Sequence, residues 1–316
     1  MGKDSPIQWT HHTFNPWRGC TKVSAGCAHC YAEELSKRNP KTLGIWGDNG
    51  TRVVASDAYW REPEKWNREA EQAGERRRVF CASLADVFED WEVLMQTSNG
   101  NPWYGGYMDV ARKRLFRLID ETPALDWLLL TKRPENVGRL LNIIRRRLPG
   151  NVWLGTTVEN QEQADLRIPW LIRTEASVRF LSMEPLLEAV DLTRIFNGVG
   201  ETYNALTAEV SRYQGKTVFR ASDTDPIDWV IVGGESGSKA RPFHLNWARM
   251  INADCDQAGV AFFLKQLGSY PIDHDVEVQT DRRVPLEDSH GGDPAEWPED
   301  LRVREFPKIS TPAGAT

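Results

Sequence analysis

One local pattern recurs along the chain: a short apolar, β-branched run, then a polar loop, then a stretch with helical spacing. Six such runs end near Ser83, Thr131, Thr157, Met183, Gly233 and Lys265. The less apolar QWTHHTFNPW supplies a further candidate strand before the first of them. Runs such as Trp229-Val-Ile-Val are apolar throughout, as strands buried on both faces require. Between the runs, Val110, Leu115, Leu118 and Ile119 fall near one helical face. Val137, Leu140, Leu141 and Ile144 do the same, and Gly259 closes the stretch that starts at Asn246 as a C-cap.

Strands alternating with helices mean βαβ units and a parallel sheet. The predicted fold is α/β: a full or partial parallel β/α (TIM-like) barrel over residues 1–270. Periodicity alone does not separate a barrel from a doubly wound open sheet. Residues 193–226 break the rhythm with a polar, Gly- and Thr-rich excursion, read as an insertion forming a small hairpin. Residues 271–316 are charged and proline-rich without a clear period, and are expected to pack on the barrel or to be partly mobile.

Polar residues gather just after each strand: Ser83 and Asp86, Lys132 and Arg133, Glu159 and Asn160, Glu184, Glu235 and Ser236, Lys265 and Gln266. Carboxyl ends of parallel strands form the ligand face in both architectures, so one site built from many loops is expected. The bland alternative is that strand ends always meet polar loops. The net charge of −6 argues against a surface that tracks nucleic-acid phosphates throughout. No secretory h-region and no 18-residue apolar run is present, so no export or membrane span is expected. Five cysteines, an odd number, then point to reduced thiols in the cytoplasm.

Three of those cysteines stand close together. FNPWRGCTKVSAGCAHCYAEEL holds Cys20, Cys27 and Cys30 in C-x6-C-x2-C spacing, in a Gly-containing loop that runs into a helix expected to begin around Ala28. Cys81 and Cys255 stand singly, and no second CxxC completes a four-ligand zinc site. Three thiolates can instead hold a [4Fe–4S] cluster with one iron open to an exogenous ligand. A structural zinc site, in a nucleic-acid- or protein-binding module without catalysis, is the alternative. A hydrolase with glutamate-bound metal is a third reading.

The loop resembles the cluster segment of the radical S-adenosylmethionine (SAM) superfamily, whose usual pattern is C-x3-C-x-φ-C with φ aromatic. Cys27-Ala28-His29-Cys30 matches the second half with His29 as φ, and the first gap is six residues instead of three. The ordered motifs FNPWRGC…GCAHCYAE, LTKRPEN, WLGTTVEN, FLSMEPLL, DWVIVGGESG…ARPFH and AFFLKQLG are similar to a phage and bacterial family, the three-Cys-motif proteins. Spore photoproduct lyase is a distant analogue. The resemblance implies a radical SAM-like barrel with a [4Fe–4S] cluster on Cys20, Cys27 and Cys30, and His29 near the SAM adenine. It implies an external electron donor and no named reaction; the phage association suggests a nucleobase, nucleotide or nucleic acid as substrate.

By order along the barrel, Ser83 and Asp86 become candidates for the SAM amino group, Asp86 being equally readable as a helix cap. Glu159 and Asn160 are candidates for ribose hydroxyls or the SAM carboxylate end, with Thr157; a capping box around Thr156 or Thr157 is the alternative. Gly233 and Gly234 allow close backbone approach to a ligand, and the superfamily has a GGE element on the SAM amino group, although there it follows an early strand. Lys132, Glu184, Glu235 and Lys265 are the candidate catalytic residues. Lys132 and Arg133 suit an anion, or an ion pair with Glu184 or Glu235. His11 and His12 are placed to line the site. No G-x-S-x-G, P-loop or H-E-x-x-H is present.

Overall fold

The computed structural model of the chain describes residues 4–196, 200–212, 218–220, 224–275 and 279–308. Seven strands share the main sheet: β1 His12–Thr13, β2 Arg77–Cys81, β3 Leu125–Thr131, β4 Val152–Thr157, β5 Val178–Met183, β6 Trp229–Gly233 and β7 Ala261–Gln266. Their order in the sheet is their order in the sequence, so each new strand adds beside the last. The order has two ends, β1 and β7, which is compatible with the partial form of the expected β/α barrel; a full barrel is not shown.

The chain divides into two compact units. Residues 1–157 and 174–177 form the first, and residues 158–173 and 178–316 the second.

In the first unit, β1 to β4 pair in parallel, with Trp127, Leu128 and Leu129 of β3 fully buried. Phe14 carries an aromatic cluster, stacked on Tyr59 at 5.1 Å and edge-on to Trp60, Trp66 and Trp127. Burial of each such ring stabilises the unit by roughly 1.5–3 kcal/mol. Strand β2 stops two residues short of the expected end at Ser83, because Leu84 N donates to the Asn15 side chain instead of a ladder carbonyl.

Helix α1 spans Tyr31–Arg38, α2 Glu62–Ala73, α3 Met108–Asp120 and α4 Val137–Ile144. On α4 the four expected apolar residues are all buried. On α3, Val110 is exposed, against expectation, because the buried stripe runs through Met108, Ala111, Arg112, Leu115 and Ile119. Helix α1 starts later than Ala28. A 3-10 turn over Ala25–Cys27 comes first, and the acidic residues that suit a helix N-terminus, Glu33 and Glu34, lie downstream of Tyr31.

In the second unit, β5 pairs β6 and β6 pairs β7, all parallel. Helix α5 covers Gln161–Ile172 and α6 Leu245–Ala258; Gly259 closes α6 in the left-handed region at φ 71°, as expected. The excursion at 193–226 exceeds a small hairpin. Ile195–Phe196, Glu201–Asn204, Glu209–Arg212 and Val218–Arg220 form a four-stranded antiparallel sheet; 197–199, 213–217 and 221–223 lie outside the described residues. Of the C-terminal extension, Pro271–Asp275 pairs with Thr280–Arg283 and with Phe243–His244. Further on, Trp297 is buried, Leu264 N donates to Val303 O and Glu305 N to Phe262 O, so the extension packs along β7. Residues 309–316 lie outside the described residues.

Candidate metal loop and strand-end sites

The cysteine loop hangs from the strand pair Trp17–Arg18 and Val53–Val54. Gly19 follows at φ 103°, and a Cβ there would lie 2.4 Å from Thr51 O, so only glycine lets the chain turn past that strand. Beyond it, Cys20 O accepts from Gly47 N at 3.0 Å.

Thr21 is held by ionic side chains. Its N–H donates to Glu89 Oε1 at 2.9 Å, its carbonyl accepts Arg133 Nη2 at 2.7 Å, and its Oγ1 accepts Arg52 Nη2 at 2.8 Å. Arg52 and Glu89 meet bidentately at 2.6 and 2.7 Å, and their side chains are 0% and 3% exposed. Trp91 covers the Arg52 guanidinium at 3.7 Å. Arg133 Nη1 donates to Asp86 Oδ2 at 3.0 Å and to Cys20 Sγ at 3.7 Å.

The three thiols are free and partly exposed. Burial pushes the Cys20 thiol up to about 12; Glu89 and Asp86 push the same way, and Arg133 opposes them. Burial also raises Cys30, offset by the N–H groups of Glu33 and Ala32 at the start of α1, where Cys30 is the N-cap. Cys27 and Lys132 are both within electrostatic reach of Cys30. Among the described residues no three His, Cys, Asp or Glu side chains meet as a metal-holding group. The donor set fits a soft metal centre in kind: unbridged thiols on one segment, with a helix N-terminus at Cys30 and a guanidinium at Cys20 to offset thiolate charge.

The remaining expected residues of the first unit surround this loop or the strand ends above it. His29 is exposed. Ser83 Oγ accepts from Asn15 Nδ2, and Ser83 O accepts from Tyr31 Oη at 2.9 Å. Asp86 is buried and takes four protein donors: Thr131 Oγ1 and Phe88 N on one oxygen, Lys132 N and Arg133 Nη1 on the other. Lys132 Nζ reaches Thr157 Oγ1 at 3.1 Å.

In the second unit, Glu159 is fully buried and pairs with Arg167 at 2.8 Å. Asn160 caps α5 by accepting from Gln163 N at 2.9 Å, so the cap lies at Asn160 and not at Thr156 or Thr157. Lys265 Nζ sits 2.8 Å from Glu184 Oε1, bringing the ends of β5 and β7 together. A Cβ at Gly233 would lie 2.8 Å from that same oxygen, and one at Gly234 2.2 Å from Leu267 O. Glu235 is engaged by Arg241 through three bonds of 2.8–2.9 Å. The alternative of Arg133 pairing with Glu184 or Glu235 is thereby corrected: those carboxylates take Lys265 and Arg241, and Arg133 takes Asp86.

A family model described as "Protein of unknown function (DUF5131)" matches residues 4–290. The chain belongs to that family. No curated protein and no solved structure matches it.

Within this DUF5131 chain, sequence reasoning missed Thr21, Arg52 and Glu89. One signal was available: Asp86 and Glu89 lie three residues apart in SLADVFED, right after a strand, and such a carboxylate pair needs cations nearby. Arg52 sits in a short stretch without a period, so nothing in the sequence marked it as their partner.

Proposed function

We propose that this chain is a radical SAM-type enzyme whose Cys20, Cys27 and Cys30 hold a [4Fe–4S] cluster. The observation that carries the reading is three unbridged thiols on one loop, next to Arg133 and Lys132 and to the N-terminus of α1. Three protein ligands leave one iron for SAM, and the chemistry supplied when both are bound is one-electron cleavage of the sulfonium to a 5′-deoxyadenosyl radical.

The protein's own residues then bind and orient. Lys132 offers a cation to the SAM carboxylate, and Thr157, its hydrogen-bond partner, aims it. Tyr31 and Asn15 hold the Ser83 segment beside the loop. Within the second unit, Gly233 and Gly234 keep the end of β6 free of side chains, and Glu184, Lys265 and Glu235 are its candidate charged and proton-exchanging groups. The substrate class is a nucleobase or nucleotide, the electron comes from an external donor, and the setting is the reducing cytoplasm. Among the described residues no helix is long and apolar enough to cross a membrane.

The test is an anaerobic incubation of reconstituted protein with SAM and dithionite, assayed for 5′-deoxyadenosine. Formation of the nucleoside, lost in Cys20→Ala, Cys27→Ala and Cys30→Ala, is expected. A cluster-loaded protein that binds SAM and yields none overturns the reading, and a colourless protein holding about one zinc per chain favours the binding-module alternative.

A further inference from the structure

Four charged side chains are buried behind one end of the cysteine loop: Arg52, Asp86, Glu89 and Arg133. Burying such a set is a weak route to stability, because well-packed apolar residues commonly do as well. Its effect is positional. The network takes the backbone N–H, the carbonyl and the hydroxyl of Thr21, and its outermost guanidinium then points an N–H at the neighbouring sulfur.

Arg133 cannot easily turn away from that sulfur. Nη1 is shared between Asp86 Oδ2 at 3.0 Å and Cys20 Sγ at 3.7 Å, Nη2 holds Thr21 O, and Glu89 Oε1 lies 3.6 Å from Nη2. Asp86 is itself locked by Thr131 Oγ1 and by the backbone N–H groups of Phe88 and Lys132. The other two thiols are built differently. Cys27 ends a 3-10 turn closed by its own N–H on Ser24 O, and Cys30 caps α1.

We propose that Arg133 is a positioning residue that presets Cys20 as one ligand arm and hydrogen-bonds its sulfur, while Cys27 and Cys30 form a second, separately built arm. This rests on the loop being a thiolate metal site, as proposed above. A donor to a cluster sulfur stabilises the more negative, reduced cluster, so Arg133 also raises the reduction potential of the loaded protein. Lysine keeps the charge there but cannot span Cys20, Thr21 and Asp86 together.

The test compares wild type, Arg133→Gln, Arg133→Lys and the surface control Arg139→Gln, whose exposed partner is Asp90. Hydrogen exchange of the metal-free proteins comes first. Arg133→Gln removes the guanidinium's bonds to Thr21 O and Cys20 Sγ, so it should speed exchange in the 19–24 segment at least roughly tenfold, and clearly more than in the core of β3. Arg133→Lys should fall between, and Arg139→Gln should match wild type. Redox titration after anaerobic reconstitution with ferrous iron and sulfide comes second: the midpoint should fall in Arg133→Gln and recover in part in Arg133→Lys. Unchanged exchange at 19–24, or equal acceleration everywhere, overturns the positioning role, as does an Arg133→Gln midpoint equal to wild type. Should wild type take up no cluster, the proposed function fails while the exchange comparison still decides what Arg133 does.

Discussion

Glu89 and Arg52 give a prediction whose size follows from their burial. Their side chains are 3% and 0% exposed and meet through two bonds of 2.6 and 2.7 Å, so removing one leaves a buried charge without its bidentate partner; the next cation to Glu89, Arg133, is 3.6 Å away and already holds Asp86 and Thr21 O. Glu89→Leu and Arg52→Met should each cost about 3–5 kcal/mol. The double variant strands no charge. It loses the partners of Thr21 N and Oγ1, which costs about 1–3 kcal/mol, and the thioether introduced in place of Arg52 still packs on Trp91. The coupling between the two changes should therefore exceed about 2 kcal/mol. Urea unfolding followed by tryptophan fluorescence measures it from the four midpoints. Additive losses, or single losses below about 1 kcal/mol, would falsify the claim that this pair is a mutually dependent buried unit.

Two other outcomes follow from the same geometry. His12 is 2% exposed, stacks on Trp66 at 4.5 Å, and has neither ring nitrogen hydrogen-bonded among the described residues. Burial first, then Arg77 and His11, lower its pKa from 6.5 to about 4, with Asp4 and Glu69 opposing. Between those values the unfolded chain carries the proton and the folded chain does not, so stability falls as pH drops from 6.5 towards 4. His12→Phe should flatten that part of a stability-against-pH curve, and an unchanged slope would remove His12 as its cause. Gly234→Ala places a methyl 2.2 Å from Leu267 O, a backbone atom that cannot swing aside as a side chain can. It should cost about 1–3 kcal/mol in thermal unfolding, whereas a variant as stable as wild type would show that the turn after β6 has room to spare.

Much of the fold was legible because buried parallel strands write themselves as apolar runs. The ends at Thr131, Thr157, Met183 and Gly233 came directly from such runs, and α4 from four residues at helical spacing. What escaped was set by contacts distant in sequence. Strand β2 ends where Asn15, 69 residues away from Leu84, takes over its amide. The polar stretch after Thr193 folds by antiparallel pairing, which demands little apolar alternation when strands span two to four residues. In the candidate site, residue types predicted charge at strand ends but not who neutralises whom. Glu159 meets Arg167 from α5, Glu235 meets Arg241 six residues on, and Asp86 meets Arg133 across two strands. Thr21 was invisible because an exposed threonine and a clamped one read alike.

The loop of Cys20, Cys27 and Cys30 is the centre of the proposed chemistry, and metal analysis of anaerobically purified protein tests it most directly. About four iron and four sulfide per chain, with Mössbauer parameters showing one iron unlike the other three and altered by SAM, is the predicted result. Stoichiometric zinc with no sulfide, or full iron–sulfur loading that survives replacement of all three cysteines by alanine, contradicts it.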